Sequence, residues 1–226
     1  MATYRSSSSN DDPTGTAISV AKPSGAASGD FVVCIVQANG QTTIADNNGS
    51  AAFTVAPNFS NYKPNTGSGH TVSVFSRTLD GTEGSTFDFT SGVSGRWSVI
   101  AICWNGSHAF DVAPNTTNAA NDDSASTGNI TCPAITTGVA NAHHVTFCCW
   151  DSSVYGTITT PTGYTLLQNA NTDGEPMHAS YKNIVSAGST GTIGHSNTEF
   201  AAMITASFSV KSTAAAASTT DFFIMF

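Results

Sequence analysis

Metal ligation and catalysis both need reactive side chains brought together, and here the candidates are six histidines, five cysteines and fifteen acids. A metal site normally draws three or four ligands, often two at short spacing on one element. Of His70, His108, His143, His144, His178 and His195, only His143 and His144 are close in sequence. As neighbours in a strand they point to opposite faces and cannot chelate together. Cys148 and Cys149 alternate in the same way, and no second cysteine pair follows at zinc-finger spacing. The sequence therefore predicts no metal and no cofactor. Asp11, Asp12, Asp46, Asp80, Glu83, Asp122 and Asp123 sit beside Asn and Gly, where carboxylates bond local backbone amides in turns. A calcium site in one such loop is the alternative, although EF-hand spacing is absent.

For nucleophilic catalysis the chain has many serines but no Gly-x-Ser-x-Gly elbow. Glycoside cleavage needs two carboxylates across a cleft, and Asp173, Glu175 and Glu199 are the nearest to such a set. With fifteen acids in 226 residues, a trio of this kind arises by chance, so the expectation is a non-enzyme. Among the aromatics, Tyr62, Tyr155, Tyr164 and Trp150 lie near loops and could stack on sugars, whereas Trp97 and Trp104 read as core.

These residues are carried by strands. Runs rich in Val, Ile, Phe and Thr alternate with Gly, Asn, Ser and Pro clusters from residue 14 onward, which is the pattern of sheets joined by turns. Strands are predicted at 18–21, 31–37, 71–79, 86–90 and 97–104, then at 130–135, 144–150, 164–167, 177–184 and 201–210. Residues 31–36 and 99–104 are apolar throughout, as in central strands covered on both faces. The alternation over 72–77 suits a strand wet on one side. Residues 1–13, Ser-rich and without periodicity, read as an N-terminal arm.

The pattern occurs twice. Residues 21–36 reappear in outline as 134–149, with Asp30 set against His143, and Phe75-Ser76-Arg77 against Ser180-Tyr181-Lys182. A duplicated four-to-six-strand unit suits an all-β, antiparallel two-sheet jelly-roll sandwich. On this reading residues 14–211 form one domain with half-repeats of about 14–114 and 128–211. Residues 212–226 form a C-terminal tail, and a polar crossover at 115–128 joins the halves. Two tandem sandwiches with that crossover as linker are the alternative.

Composition narrows the partners. Seven Lys and Arg against fifteen Asp and Glu give a formal charge of −8, so a nucleic-acid backbone finds little counter-charge. No run approaches the ~18 apolar residues of a membrane span, and the N-terminus lacks a signal-peptide core. Manufacture in a cytoplasm, without a disulfide framework, is expected. Charged residues are only 10% of the chain, against roughly 25% in ordinary soluble domains. The polar surface is therefore mostly Ser, Thr, Asn and Gly.

The punctuation between strands resembles a jelly-roll module of bacteriophage virion structural proteins, found in capsid decoration or cement and tail-associated components. The resemblance rests on Lys22-Pro23-Ser24-Gly25 leading through Ser28-Gly29-Asp30 into an apolar strand, and on Thr160-Pro161-Thr162-Gly163-Tyr164-Thr165-Leu166-Leu167. Trp104-Asn105-Gly106 followed by Phe110-Asp111, and the closing strand 201–210, are also similar. It covers about residues 14–211. The first half departs from the Pro-x-Gly-aromatic turn, having Asn48-Gly49-Ser50-Ala51-Ala52-Phe53 instead.

The resemblance implies a non-enzymatic phage virion protein, first a capsid decoration or cement protein that bridges shell subunits. The expected partner is the major capsid protein or another virion protein, in a homotrimer, with assembly in the host cytoplasm. The alternative is a tail-fibre or receptor-binding module that recognises host surface glycans. After a small-residue spacer the chain runs Phe222-Phe223-Ile224-Met225-Phe226. Each of these side chains left in water would forgo roughly 1.5–3 kcal/mol of burial, which marks the five as the candidate partner-binding residues.

Overall fold

Short β-branched and aromatic runs that alternate with turn residues become strands because extended backbone gives their side chains two faces to pack on. The computed structural model describes residues 3–40, 42–56, 59–60, 69–122, 128–154, 156–172, 174–199 and 201–212. The first six strands are β1 (Tyr4–Ala21), β2 (Phe31–Asn39), β3 (Ala45–Asp46), β4 (Thr54–Val55), β5 (His70–Thr78) and β6 (Thr86–Trp104). Next come β7 (His108–Val112), β8 (Ala119–Asp122), β9 (Asn129–Cys132), β10 (Thr136–Thr137), β11 (Ala142–Asp151) and β12 (Ile158–Thr159). The remainder are β13 (Thr165–Ala170), β14 (Met177–Ile184), β15 (Gly188–Ser189), β16 (Ile193–Asn197) and β17 (Ala202–Ser212).

The chain is an all-β sandwich, and every ladder is antiparallel. One large sheet has the order β1-β6-β2-β5-β4, with β3 on β6; the other has β13-β14-β11-β17-β7, with β8 on β17. Their inner faces meet in the largest core cluster. There Phe31, Val33, Ile35 and Trp104 of the first sheet pack with Val145, Phe147, Ile204 and Phe208 of the second.

Each large sheet has a cover on its outer face. In the first half, β1 and β6 shift register around the Gly15–Gly95 pair, and the far part of this ribbon packs Ile18, Val20, Phe87 and Phe89 against Val32, Cys34 and Val36. In the second half the cover is a separate sheet, β12-β16-β9. Four layers result, so the apolar runs 31–36 and 99–104 are covered on both sides as expected.

The strand neighbours, together with the faces that the strands present to the central core, relate the residues of the two halves: Val33 and Ile35 face it in one, Val145 and Phe147 in the other. Val32 pairs with Arg77 and Cys103, while His144 pairs with Lys182 and Ser209. With Arg77 set on Lys182, as in the sequence alignment, Val32 falls on His144. Gly29 (φ 90°) falls on Asn141 (φ 56°), the left-handed residue before each strand, where glycine or asparagine is easiest to place. Setting Asp30 against His143 is therefore one residue out of step. A one-residue slip exchanges the two faces of a strand, and apolar runs buried on both faces hide it.

Three boundaries also change. The expected arm at 1–13 is strand from Tyr4 onward, an edge strand paired from Tyr4↔Trp104 to Asp12↔Trp97. Its serines bond in alternation. Ser7 and Ser9 donate to Leu167 and Asn169 carbonyls on β13, whereas Ser6 and Ser8 donate to Ser24 and Ala21 carbonyls. A strand held by hydroxyls has no apolar period to betray it. The second half begins earlier than 128, because β7 and β8 both pair with β17; part of the expected crossover is therefore sheet. Finally, β5 is buried from His70 to Phe75, with Val72 and Val74 in the central core and Phe75 in the outer one, so neither face is wet there.

Asp30 ties the first half's turns together. It is 2% exposed, lies 2.8 Å from Arg5 Nε, and accepts from the Ala27 amide at 2.8 Å and the Gly106 amide at 2.7 Å. Burial works to raise its pKa, but the Gly106 and Ala27 amides and Arg5 outweigh it, and the carboxyl titrates below its ordinary range. Asp30→Ala is expected to cost on the order of 3 kcal/mol in chemical denaturation, because the donors lose a charged acceptor. Asp30→Asn, which keeps an acceptor oxygen, should cost clearly less.

Candidate functional site

The second half presents a cleft of ≈ 410 Å³ lined by Pro161, Thr162, Tyr164, Lys182, Thr190, Thr192, Ile193 and Gly194. That volume lies within the roughly 300–1,000 Å³ of small-molecule sites. The sequence shapes it through a tight turn before β13, in which the Tyr164 amide donates to the Pro161 carbonyl at 3.0 Å. Gly163 in that turn has φ 80°, a conformation that glycine adopts at no steric cost. Lys182 lies on β14 with Nζ 5.9 Å from the Tyr164 ring centroid.

Tyr164 is anchored from behind. Its hydroxyl and His144 Nδ1 are 2.7 Å apart. Burial, reinforced by Lys182, lowers the His144 pKa to about 4, and burial raises that of Tyr164 to about 12. At neutral pH the pair is an uncharged hydrogen bond that fixes the ring's edge and leaves Lys182 as the charge in the cleft.

His144 belongs to a polar layer between the second large sheet and its cover. Thr146 Oγ1 lies 2.7 Å from His195 Nε2, His178 Nδ1 lies 2.8 Å from Asn169 Oδ1, and the His178 and His195 rings are 6.0 Å apart. Three of the counterparts in the first half are apolar: Val32 for His144, Cys34 for Thr146 and Phe89 for His195, the last by equivalence of the ladders β1–β6 and β9–β16, while His178 falls on Ser73. Burial lowers the pKa of His178 to about 4 and of His195 to about 3. Among the described residues no group of three or more His, Cys, Asp or Glu side chains is placed to hold a metal ion. His143 faces the other way, accepting from Trp104 Nε1 at 3.1 Å, so the two adjacent histidines do diverge.

The remaining candidates are tied up elsewhere. All five cysteines are buried free thiols. Glu175 is fully buried, accepting from Arg96 Nε at 2.7 Å, Asn39 at 2.9 Å and the Ser152 amide at 2.9 Å. Burial first and Asp151 second raise its pKa to about 7, with Arg96 opposing. This cluster joins the two halves, since Asn39 and Arg96 belong to the first and Asp151 and Glu175 to the second. Glu199 lies beyond β16, its amide bonded to Asn197. Asp80 and Glu83 hold Arg77 and their own turn's amides, and Asp46 bonds Asn48 and the Phe53 amide. Trp150 is buried in the outer core rather than offered to a ligand. Tyr62, Asp123, Tyr155, Asp173 and the candidate anchors Phe222, Phe223, Ile224, Met225 and Phe226 lie outside the described residues.

The cleft itself was only half visible in sequence. Tyr164 stood out through its Gly-aromatic turn; Lys182, Thr190 and Thr192 come from segments that only the fold brings beside it. No protein-family model, curated protein or solved structure matches the chain.

Proposed function

We propose that this chain is a non-enzymatic structural protein of a bacteriophage virion, a head decoration or cement protein that bridges shell subunits as a homotrimer. In this reading the sandwich is a jelly roll built from an internal repeat. Supporting it is the order of neighbours: β1-β6-β2-β5 with a covering ribbon in one half, and β7/β8-β17-β11-β14 covered by β9-β16-β12 in the other. Antiparallel strands wound into two facing sheets are the jelly-roll plan of many capsid domains. The observation that carries the structural role is that the cysteines, the histidines and Glu175 are spent on packing and internal bonds. In this reading contact with partners falls to loops, edges and the apolar tail.

The test is binding to purified capsids of the host phage. The full chain is expected to saturate the shell, and a variant lacking residues 221–226 to bind at least a hundredfold more weakly, since even two buried apolar side chains correspond to roughly 3 kcal/mol. Equal binding by the truncated chain would remove the tail from the mechanism, and no binding by either would remove the decoration role. One observation favours a second reading, a receptor-binding module for host glycans: the cleft at Tyr164, which combines an aromatic ring with hydroxyls as sugar sites do.

A further inference from the structure

The two halves place an aromatic ring and a cation at the same point and then treat them differently. Thr54 pairs with Ser76 and Thr165 with Tyr181, so Phe53 corresponds to Tyr164 just as Arg77 corresponds to Lys182. In the first half the site is closed. Phe53 is packed in the outer core between Phe87 and Phe89. Arg77 is held by Asp80 at 2.8 Å and Glu83 at 2.9 Å, both from the loop after β5, and donates to the Ala52 carbonyl at 3.0 Å.

In the second half the corresponding loop after β14 reads Val185-Ser186-Ala187-Gly188-Ser189-Thr190 and carries no acid. Lys182 is exposed and takes part in none of the ion pairs among the described residues. Tyr164 stays at the surface because its hydroxyl bonds the buried His144, where the first half has Val32. A cation has kept its position, has lost the loop carboxylates that neutralise its counterpart, and stands beside an aromatic ring and the hydroxyls of Thr162 and Thr192 in an open cleft, one wall of which is fixed by Thr190 Oγ1 bonded to the Ile135 backbone.

We propose that this cleft binds an acidic saccharide: the carboxylate of a uronic-acid-type sugar pairs with Lys182, its ring packs on Tyr164, and its hydroxyls bond Thr162 and Thr192. The inference rests on the glycan-binding reading and gives it a ligand class. The carboxylate takes the place that Glu83 and Asp80 occupy against Arg77, and a chain of net charge −8 would otherwise repel such a ligand. Neutral sugars keep the stacking and the hydroxyl bonds but forgo the charge-assisted contact, which is among the stronger hydrogen bonds a protein makes.

The test is titration of the full chain with D-glucuronate, D-glucose, acetate and inorganic phosphate, followed by amide NMR shifts at Gly163, Thr190 and Gly194. Glucuronate is expected to shift these amides saturably, at least tenfold more tightly than glucose or either small anion. Lys182→Met should weaken it about tenfold and Lys182→Arg should largely restore it, while an unchanged thermal midpoint shows that both variants fold. Glucose binding as tightly as glucuronate, or unaltered affinity in Lys182→Met, overturns the acidic-sugar assignment and leaves a glycan site standing. Acetate or phosphate binding as tightly as glucuronate overturns the saccharide and leaves a simple anion site. If no probe shifts these amides the inference fails, and binding of the intact chain to host cells then decides separately whether glycans are held elsewhere.

Discussion

Acidification from pH 7 to pH 5 should bring this protein to the edge of unfolding, well above the range where carboxylate protonation alone denatures most domains. His70, His144, His178 and His195 are at most 1% exposed, and burial lowers their pKa values to about 3, 4, 4 and 3. An unfolded histidine titrates near 6.5. Below that pH the unfolded chain takes up protons that the fold refuses, so stability is full above about 6.5 and falls as pH drops toward the folded values. Four such groups together remove on the order of 8 kcal/mol by pH 5. Glu175 acts in the opposite sense: raised to about 7, it favours the fold as pH falls from 7 toward 4.5 and returns about 2 kcal/mol. The balance of these five groups, about 6 kcal/mol, is comparable with the whole stability of many domains, and His143, lowered to about 4 by burial, adds to the loss. Tryptophan emission and far-ultraviolet circular dichroism against pH should therefore show a cooperative transition between about pH 4.5 and 5.5. The double variant His178→Gln, His195→Gln should reduce the proton uptake on unfolding at pH 5 by about two, whatever it does to stability at pH 7. A transition that stays below pH 3.5 in the intact chain would show that these imidazoles are not held neutral.

The elements that sequence disclosed best were those whose chemistry is periodic or punctuated. The apolar run at 31–36 and the predicted strand at 177–184 appear where expected, the latter as β14 with the same ends. Gly163 and Tyr164 were legible because a left-handed turn narrows the residue choice. What escaped notice has an equally physical cause. Residues 4–12 carry no apolar alternation because serine hydroxyls, not hydrophobic contacts, hold both faces of that strand. The register between halves slipped by one because residues buried on both faces give no sign of which face is which. The cleft needed Lys182, Thr162 and Thr190 to meet across separate turns, and spacing along a chain cannot report such a meeting. Nor could sequence show that Arg77 has its carboxylates and Lys182 does not, since that difference exists only once β5 and β14 are laid over one another.

Phe147→Ala should destabilise both halves at once, by about 3–5 kcal/mol. Phe147 projects from β11 of the second half into the central core, is fully buried, and meets Phe59 of the first half edge-on at 5.8 Å. Three other ring contacts cross the same boundary: Tyr4 on Tyr181 at 5.5 Å, Phe31 on Phe110 at 5.6 Å, and Trp104 Nε1 on His143 at 3.1 Å. Two sheets that face each other through their largest apolar surfaces cannot part without exposing both, so separation of the halves and their unfolding should be one event. The chain carries its own reporters, because Trp97 lies in the outer core of the first half and Trp150 in that of the second. In versions that retain only one of the two, alongside Trp104→Phe, denaturant titration should give coincident midpoints, and Phe147→Ala should move both by the same amount. A Trp97 transition that stays in place while the Trp150 transition falls would instead mean two independently stable sandwiches, joined by a core that contributes little.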